Sequence, residues 1–151
     1  MNIRKATAKD NEACLNIAKG LPEWFNEKGV VEIAKDLKNL TTYIADDGDM
    51  LAFVCLDRKS AKVIEIKHIA VKRNSQGHGI GTTIIGYIET EVAPGKIIEV
   101  KTLDESSEYE PYVKTRAFYN KNGFIKIEVV DPYPGWDKGN PCAIYVKYPS
   151  R

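Results

Sequence analysis

Three glycines fall within the six residues Gln76-Gly77-His78-Gly79-Ile80-Gly81, and this is where the 151-residue chain is best equipped for chemistry. Before it runs a β-branched stretch with Ile64, Ile66, Ile69 and Val71, the composition of a strand. After it, Thr82, Ile84, Ile85, Ile88 and Val92 recur at helical spacing. The first amides of a helix are unpaired and lie at the positive end of its dipole, and glycines leave them open to an incoming anion. Strand, turn and helix in that order predict a phosphate cradle. The turn is not a P-loop, because no Gly-Lys-Ser/Thr closes it, and it lacks the G-x-G-x-x-G order of a dinucleotide fold.

The rest of the chain supplies a frame for such a turn. Ile3 to Ala6 reads as an opening strand, and Thr7 or Asp10 as the N-cap of a helix over Asn11 to Lys19 that Gly20 ends as its C′ residue. Leu21 to Phe25 is irregular, and a second amphipathic helix follows in which Val30, Ile33, Ala34 and Leu37 share a face. Trp24 and Phe25 lie between these helices, where they either plug the core or line an acceptor pocket. Thr41 to Ala45 and Met50 to Asp57 form a hairpin around an Asp-Asp-Gly-Asp turn, and Ala61 to Val71 is a long strand. Lys96 to Leu103 is an alternating strand, and the acidic stretch Asp104 to Glu110 is a loop. A helix over Tyr112 to Lys121 starts behind Pro111 and closes at Asn122-Gly123. Strands Phe124 to Val130 and Ala143 to Tyr148 flank a turn-rich loop. The sum is a mixed α+β fold, with a central, mostly antiparallel sheet of about seven strands flanked by about four helices.

Length and composition fit one domain over residues 1–151, large enough to bury a core without staples. A formal net charge of +1 recommends neither a nucleic acid nor a membrane surface as partner. Cys14, Cys55 and Cys142 are odd in number and lack CxxC spacing, which argues against a disulfide framework and a metal site and for a reducing cytoplasm. The N-terminus is charged from its fourth residue and has no apolar h-region, and no run reaches the roughly 18 apolar residues of a membrane span.

Gln76, Gly79 and Gly81 fit Q/R-x-x-G-x-G/A, the acyl-CoA-binding signature of the GNAT family of N-acetyltransferases, directly after a strand ending in Ala70-Val71. Farther on, Ala117 to Phe124, AFYNKNGF, is similar to that family's late helix and its F-Y-x-x-x-G-F ending. The resemblance covers essentially the whole chain and implies the GNAT acyl-CoA N-acyltransferase fold. It implies acetyl-CoA or coenzyme A as cosubstrate without a metal, and an amine acceptor, taken by a monomer or homodimer. Its cradle would be Gln76, Gly77, His78, Gly79, Ile80, Gly81 and Thr82, with backbone groups of Ile69, Ala70 and Val71 pairing with the pantetheine arm. Tyr119 would protonate the leaving thiolate, which a phenol with an ordinary pKa near ~10 can do at neutral pH.

For the base, Glu65 lies at the offset from Gln76 that related histone acetyltransferases use, and His68, with an ordinary pKa near ~6.5, is the alternative. Strand alternation places these two on opposite faces unless a bulge intervenes, and Lys67 is the nearest cation in sequence. Two departures stand out: Tyr112 and Thr115 replace the Asn and Ala usual before the tyrosine, and His78 replaces a frequent Lys or Arg. Asp104, Glu105, Glu108 and Glu110 would lie at the mouth of the acceptor cleft and favour a cationic acceptor, with Lys101 and Lys114 partly cancelling them. A CoA-binding sensor without turnover is the competing expectation, and a nucleotide-binding protein a more distant one.

Overall fold

Alternating apolar residues in seven short segments build one sheet in the computed structural model, which describes residues 1–150. Its strands are β1 (Asn2–Lys5), β2 (Thr41–Asp46), β3 (Met50–Arg58), β4 (Val63–Val71), β5 (Ile97–Leu103), β6 (Ile125–Val130) and β7 (Cys142–Lys147). They lie in the order β1-β2-β3-β4-β5-β7-β6. Only β4 and β5 run parallel; every other neighbouring pair is antiparallel. The helices are α1 (Asn11–Lys19), α2 (Glu27–Asn39), α3 (Ile80–Tyr87) and α4 (Pro111–Lys121).

Side-chain alternation divides the core between the two faces of the sheet. Cys14, Ile17 and Ala18 of α1 and Ile33 and Leu37 of α2 pack on Ile44, Phe53 and Ala70. On the other face, Ile80, Ile84 and Ile85 of α3 and Tyr119 of α4 cover Val54, Leu56, Ile64, Ile66, Ile98, Val100 and Tyr145. The helices cap as their sequences dictate: Asn26 Oδ1 accepts from the Gly29 amide at 2.8 Å, and Pro111 occupies the first turn of α4. At the start of the first helix, Asp10 accepts the Thr7 amide at 2.8 Å and Thr7 caps a short 3₁₀ turn.

Three features of the helices differ from the sequence reading. Gly20 caps α1 with φ −76°, in right-handed conformation, so it is not the left-handed C′ residue expected there. The helical pattern through Val92 is regular only to Tyr87 and ends in a π turn over Ile88–Val92. Asp36 is buried within the apolar face of α2 and was no part of the sequence expectation. Among the described residues no helix is long and apolar enough to cross a membrane.

Candidate active site

The glycine turn joins β4 to α3 with Gly77 at φ +79° and Gly79 at φ +80°, the left-handed region that disfavours any side chain. Gly79 is the N-cap of α3, and a Cβ built on it would meet nothing within 4 Å. The first backbone bond leaving this stretch runs from the Thr83 amide to Gly79 O at 3.0 Å, so the amides of residues 77–82 have no backbone partner, as an anion cradle requires. Gln76 Nε2 donates to Val71 O at 3.0 Å and fixes the turn to the strand end. His78 is exposed, with Nδ1 3.3 Å from Ser75 O. Gly81 serves packing instead: a Cβ there would lie 2.8 Å from the Phe118 ring.

Beside the turn the sheet opens. The parallel pairing of β4 and β5 runs from Val63 with Ile97 to Ile66 with Val100 and stops, while β4 continues to Val71 and β5 to Leu103. The backbone of Ile69, Ala70 and Val71 therefore borders a fork. Just at its root β4 carries a bulge: Leu56 pairs with Ile66 and Cys55 with His68, so Lys67 is the extra residue. The expected separation of Glu65 and His68 onto opposite faces is thereby corrected. The bulge restarts the alternation, and both point to the α1/α2 face, roughly 7 Å apart along the strand.

Their surroundings differ. His68 Nε2 lies 2.7 Å from Asp36 Oδ2 of α2, and both side chains are largely buried. Burial holds the His68 pKa below its ordinary value, and the Asp36 carboxylate opposes that shift. The neutral tautomer with its proton on Nε2 donates to Asp36 and leaves Nδ1 free to accept a proton. Glu65, only 3% exposed, accepts a hydrogen bond from Lys101 Nζ at 2.7 Å, and Lys101 also reaches Glu99 Oε1 at 3.1 Å. Burial works against the Lys101 charge, but the two carboxylates outweigh it and raise the pKa. The cation on Glu65 is thus Lys101 from the neighbouring strand; Lys67, expected in that role, is displaced by the bulge and exposed. The Tyr133 ring lies 5.6 Å from Lys101 Nζ, with Trp136 edge-on to it at 5.6 Å.

Tyr119 occupies the other face. It is 3% exposed and wedged between Phe118 and Phe124, with ring centroids at 5.3 and 5.2 Å, and Tyr145 at 6.3 Å. It shares a cluster with Ile66 and Val100, the last paired residues before the fork. Burial raises its pKa well above that of a free phenol, so the hydroxyl keeps its proton.

The segment between α1 and α2 bridges the two sides of the fork. From beyond β4, Arg73 donates to Glu23 Oε1 at 2.7 Å and to Gly20 O at 3.0 Å. From around the start of α4, Tyr109 donates to Glu23 O at 2.7 Å and Tyr112 to Trp24 O at 3.3 Å. The Trp24 indole N–H donates to Thr115 Oγ1 at 3.1 Å and to Pro111 O at 3.3 Å. Tyr112 and Thr115, which replace the family's usual Asn and Ala, thus hold Trp24, whose ring and that of Phe25 also pack on the α1/α2 core. In the acidic loop Asp104 is buried, and Lys126, not Lys101 or Lys114, neutralises it at 3.0 Å together with Glu105 at 2.8 Å. Glu108 and Glu110 are exposed.

Asp36, Glu99 and Tyr133 were missed from sequence, and Lys101 was placed beside the acidic loop instead of on Glu65. Two signals were present: an acid on an apolar helix stripe, at Asp36, and charged residues alternating through apolar β5.

An open amide cradle beside a forked sheet is the arrangement of an acyl-CoA-dependent N-acetyltransferase. The acetyltransferase (GNAT) domain family matches residues 38–126, more than half of the chain, and the protein belongs to that family. A GNAT-family protein from Desulfovibrio desulfuricans superimposes with a TM-score of 0.81 at 17% identity, over 97% of this chain and 98% of that one. The ribosomal-protein-S18-alanine N-acetyltransferase of Escherichia coli does so with a TM-score of 0.75 at 16% identity, covering 99% and 94%. An aminoglycoside 6′-N-acetyltransferase in complex with coenzyme A gives 0.69 at 19% identity, covering 98% and 97%. These likenesses speak for the fold. No curated protein matches the chain in sequence.

Proposed function

We propose that the protein transfers the acetyl group of acetyl-CoA to a primary amine by direct attack in a ternary complex. The observation that carries this reading is the fork at Ile66 and Val100, with the amide cradle at one end, His68 and Glu65 on one face and the Tyr119 cluster on the other. Residues Gln76 to Thr82 hold the pyrophosphate through their amides, and the unpaired β4 edge at Ile69 to Val71 receives the pantetheine arm.

The acceptor arrives as an ammonium and must lose a proton before it attacks. Glu65 is already engaged by Lys101, which favours His68 as the base, held in the accepting tautomer by Asp36 as a positioning residue. The neutral amine then forms the new C–N bond while the C–S bond breaks. The second amine proton is lost to the medium, the thiolate takes one from Tyr119, and the proton held by His68 passes through solvent to the tyrosinate, so both side chains are restored and the products are the amide, the thiol and one proton. The acceptor enters over Trp24, Phe25 and the loop that carries Glu105 and Glu108. Three buried, unbridged cysteines suit a reducing cytoplasm.

Thiol release from acetyl-CoA, measured with a panel of amines beside CoA calorimetry, tests the reading. Acceptor-dependent release supports it. CoA binding with no release on any amine would instead make the protein a CoA sensor.

A further inference from the structure

The donor turn carries a titratable side chain at the position where relatives frequently have a fixed cation. His78 stands between Gly77 and Gly79, is exposed, and is one of two histidines in the chain. Its Nδ1 lies 3.3 Å from Ser75 O. Because a carbonyl oxygen only accepts, Nδ1 holds the proton in this contact, and in the neutral ring the outer nitrogen, Nε2, is left as a bare acceptor. Toward a phosphate oxygen that nitrogen is repulsive. The imidazolium keeps the bond to Ser75 and turns Nε2 into a charged donor, so one proton reverses the sign of the ring toward an anion. The carboxylates near the turn are already paired: Asp49 with Lys72 at 3.2 Å and Glu23 with Arg73 at 2.7 Å. β4 reaches the turn through Ile69, Ala70 and Val71, without a charge, and the first turn of α3 has neither acid nor base. From α4, which packs on α3 where Phe118 meets Gly81, come Lys114, Arg116 and Lys121 and no acid.

We propose that His78 is a proton-dependent clamp on the donor: its imidazolium donates Nε2–H to a pyrophosphate oxygen lodged on the amides of the turn, so that CoA binds with uptake of a proton from solvent. The inference rests on the cradle reading proposed above and adds its regulation. Imidazole is the side chain that changes charge between about pH 5 and 8. With every nearby carboxylate paired, the group that holds the added proton in place is the incoming phosphate. Donor affinity is therefore greatest at the acid end of that range and declines as pH rises through it. The two histidines then make opposite demands, since His68 must be neutral to take the amine proton and His78 must be charged to hold the donor. Burial keeps His68 neutral to lower pH than a free imidazole, which leaves a window where both conditions are met. Above that window the base still works, but the donor is held by amides alone.

Dephospho-CoA is the probe, because the 3′-phosphate of CoA has an ionisation of its own near ~6 that would add to the measurement. Calorimetry between about pH 5.5 and about pH 8 should show its affinity falling by about 10-fold, the contribution of one charge-assisted hydrogen bond at an exposed site. Titrations in two buffers of different ionisation enthalpy should report uptake of about half a proton near neutral pH. His78→Gln should bind at the weak, high-pH level throughout and take up no proton, whereas His78→Arg should bind at the strong level throughout. Both changes fall on an exposed residue, and no described residue other than glycine has positive φ, so neither asks the turn to refold. In turnover the pH effect should appear in the acetyl-CoA KM and not in kcat, and His78→Arg should remove it while the acid limb set by His68 stays. Equal affinity across the range, or a pH dependence that persists in His78→Gln, overturns the clamp and leaves the amide cradle standing. Failure of both dephospho-CoA and CoA to bind at any pH overturns the clamp and the cradle together.

Discussion

Tyr119 combines a reactive group with the burial of a core residue, and its two neighbours explain how it can be both. Phe118 and Phe124 hold the ring edge-on from either side, so the hydroxyl is aimed by packing and not by a hydrogen-bonded partner. Tyr119→Phe keeps that packing; CoA affinity measured by calorimetry should hardly change, while turnover falls by about 10²-fold, the usual contribution of a positioned acid. Turnover within a factor of two of the parent would make the tyrosine structural. His68 and Asp36 give a pH signature. Burial depresses the His68 pKa, so the imidazole stays neutral to lower pH than a free histidine near ~6.5. The sign follows for stability as well: the contribution of this site is complete above ~6.5 and is lost as pH falls through the folded-state pKa, because only the unfolded chain protonates first. Asp36→Asn keeps an acceptor for Nε2–H but removes the charge that favours imidazolium. The acid limb of kcat/KM should therefore shift to lower pH, with the plateau reduced about 10-fold as the base weakens. An unmoved limb would exclude His68 from proton transfer.

At the scale of elements, the glycine turn shows two glycines with different duties. Gly79 needs its positive φ and leaves empty space above it, whereas Gly81 needs the absence of a Cβ because Phe118 fills that place. Gly79→Val should weaken CoA binding at least about 10-fold with a stability loss of about 1–2 kcal/mol for a left-handed β-branched residue. Gly81→Ala should cost about 1–3 kcal/mol by overpacking on α4, with a drop in Tm larger than its drop in CoA affinity. Calorimetry and thermal melts on both variants check the division, and equal losses in both would refute it. The turn, the strand before it and the helix bearing Tyr119 were legible in sequence because each is a local pattern: β-branched run, glycine spacing, helical period. The bulge at Lys67 was not, since one unpaired residue in a strand leaves no fixed composition and depends on the register that β3 imposes. For the same reason the partners of Glu65 and His68 escaped. Lys101 and Asp36 are 36 and 32 residues away in the chain and meet them only through tertiary packing.

Across the whole molecule, the sheet is joined at its fork by four paired positions of β4 and β5, and the segment from Gly20 to Trp24 ties the open end. One side of that tie is Arg73, beside the donor turn; the other is Tyr109, Tyr112, Thr115 and Pro111, at the start of the helix that carries Tyr119. In the acetyl-transfer reading proposed above, the tether couples the donor turn to the reacting end and lies across the route of the pantetheine arm. Its central bond is the Trp24 indole N–H, which serves Thr115 and Pro111 together. Trp24→Phe keeps much of the aromatic packing on the α1/α2 core and deletes that donor. Loss of one such bond is worth about 1 kcal/mol, which moves the opening equilibrium of the segment by about 5-fold. Hydrogen exchange in residues 20–26 should speed up by that factor, and the association rate constant for CoA should rise with it, while the acceptor KM increases because the cleft wall is less ordered. Thr115→Ala removes the same partner from the helix side and should reproduce part of each effect without touching the indole. If both variants bind CoA at the parent rate although exchange has quickened, the segment moves without gating the donor, and its role is confined to the acceptor wall.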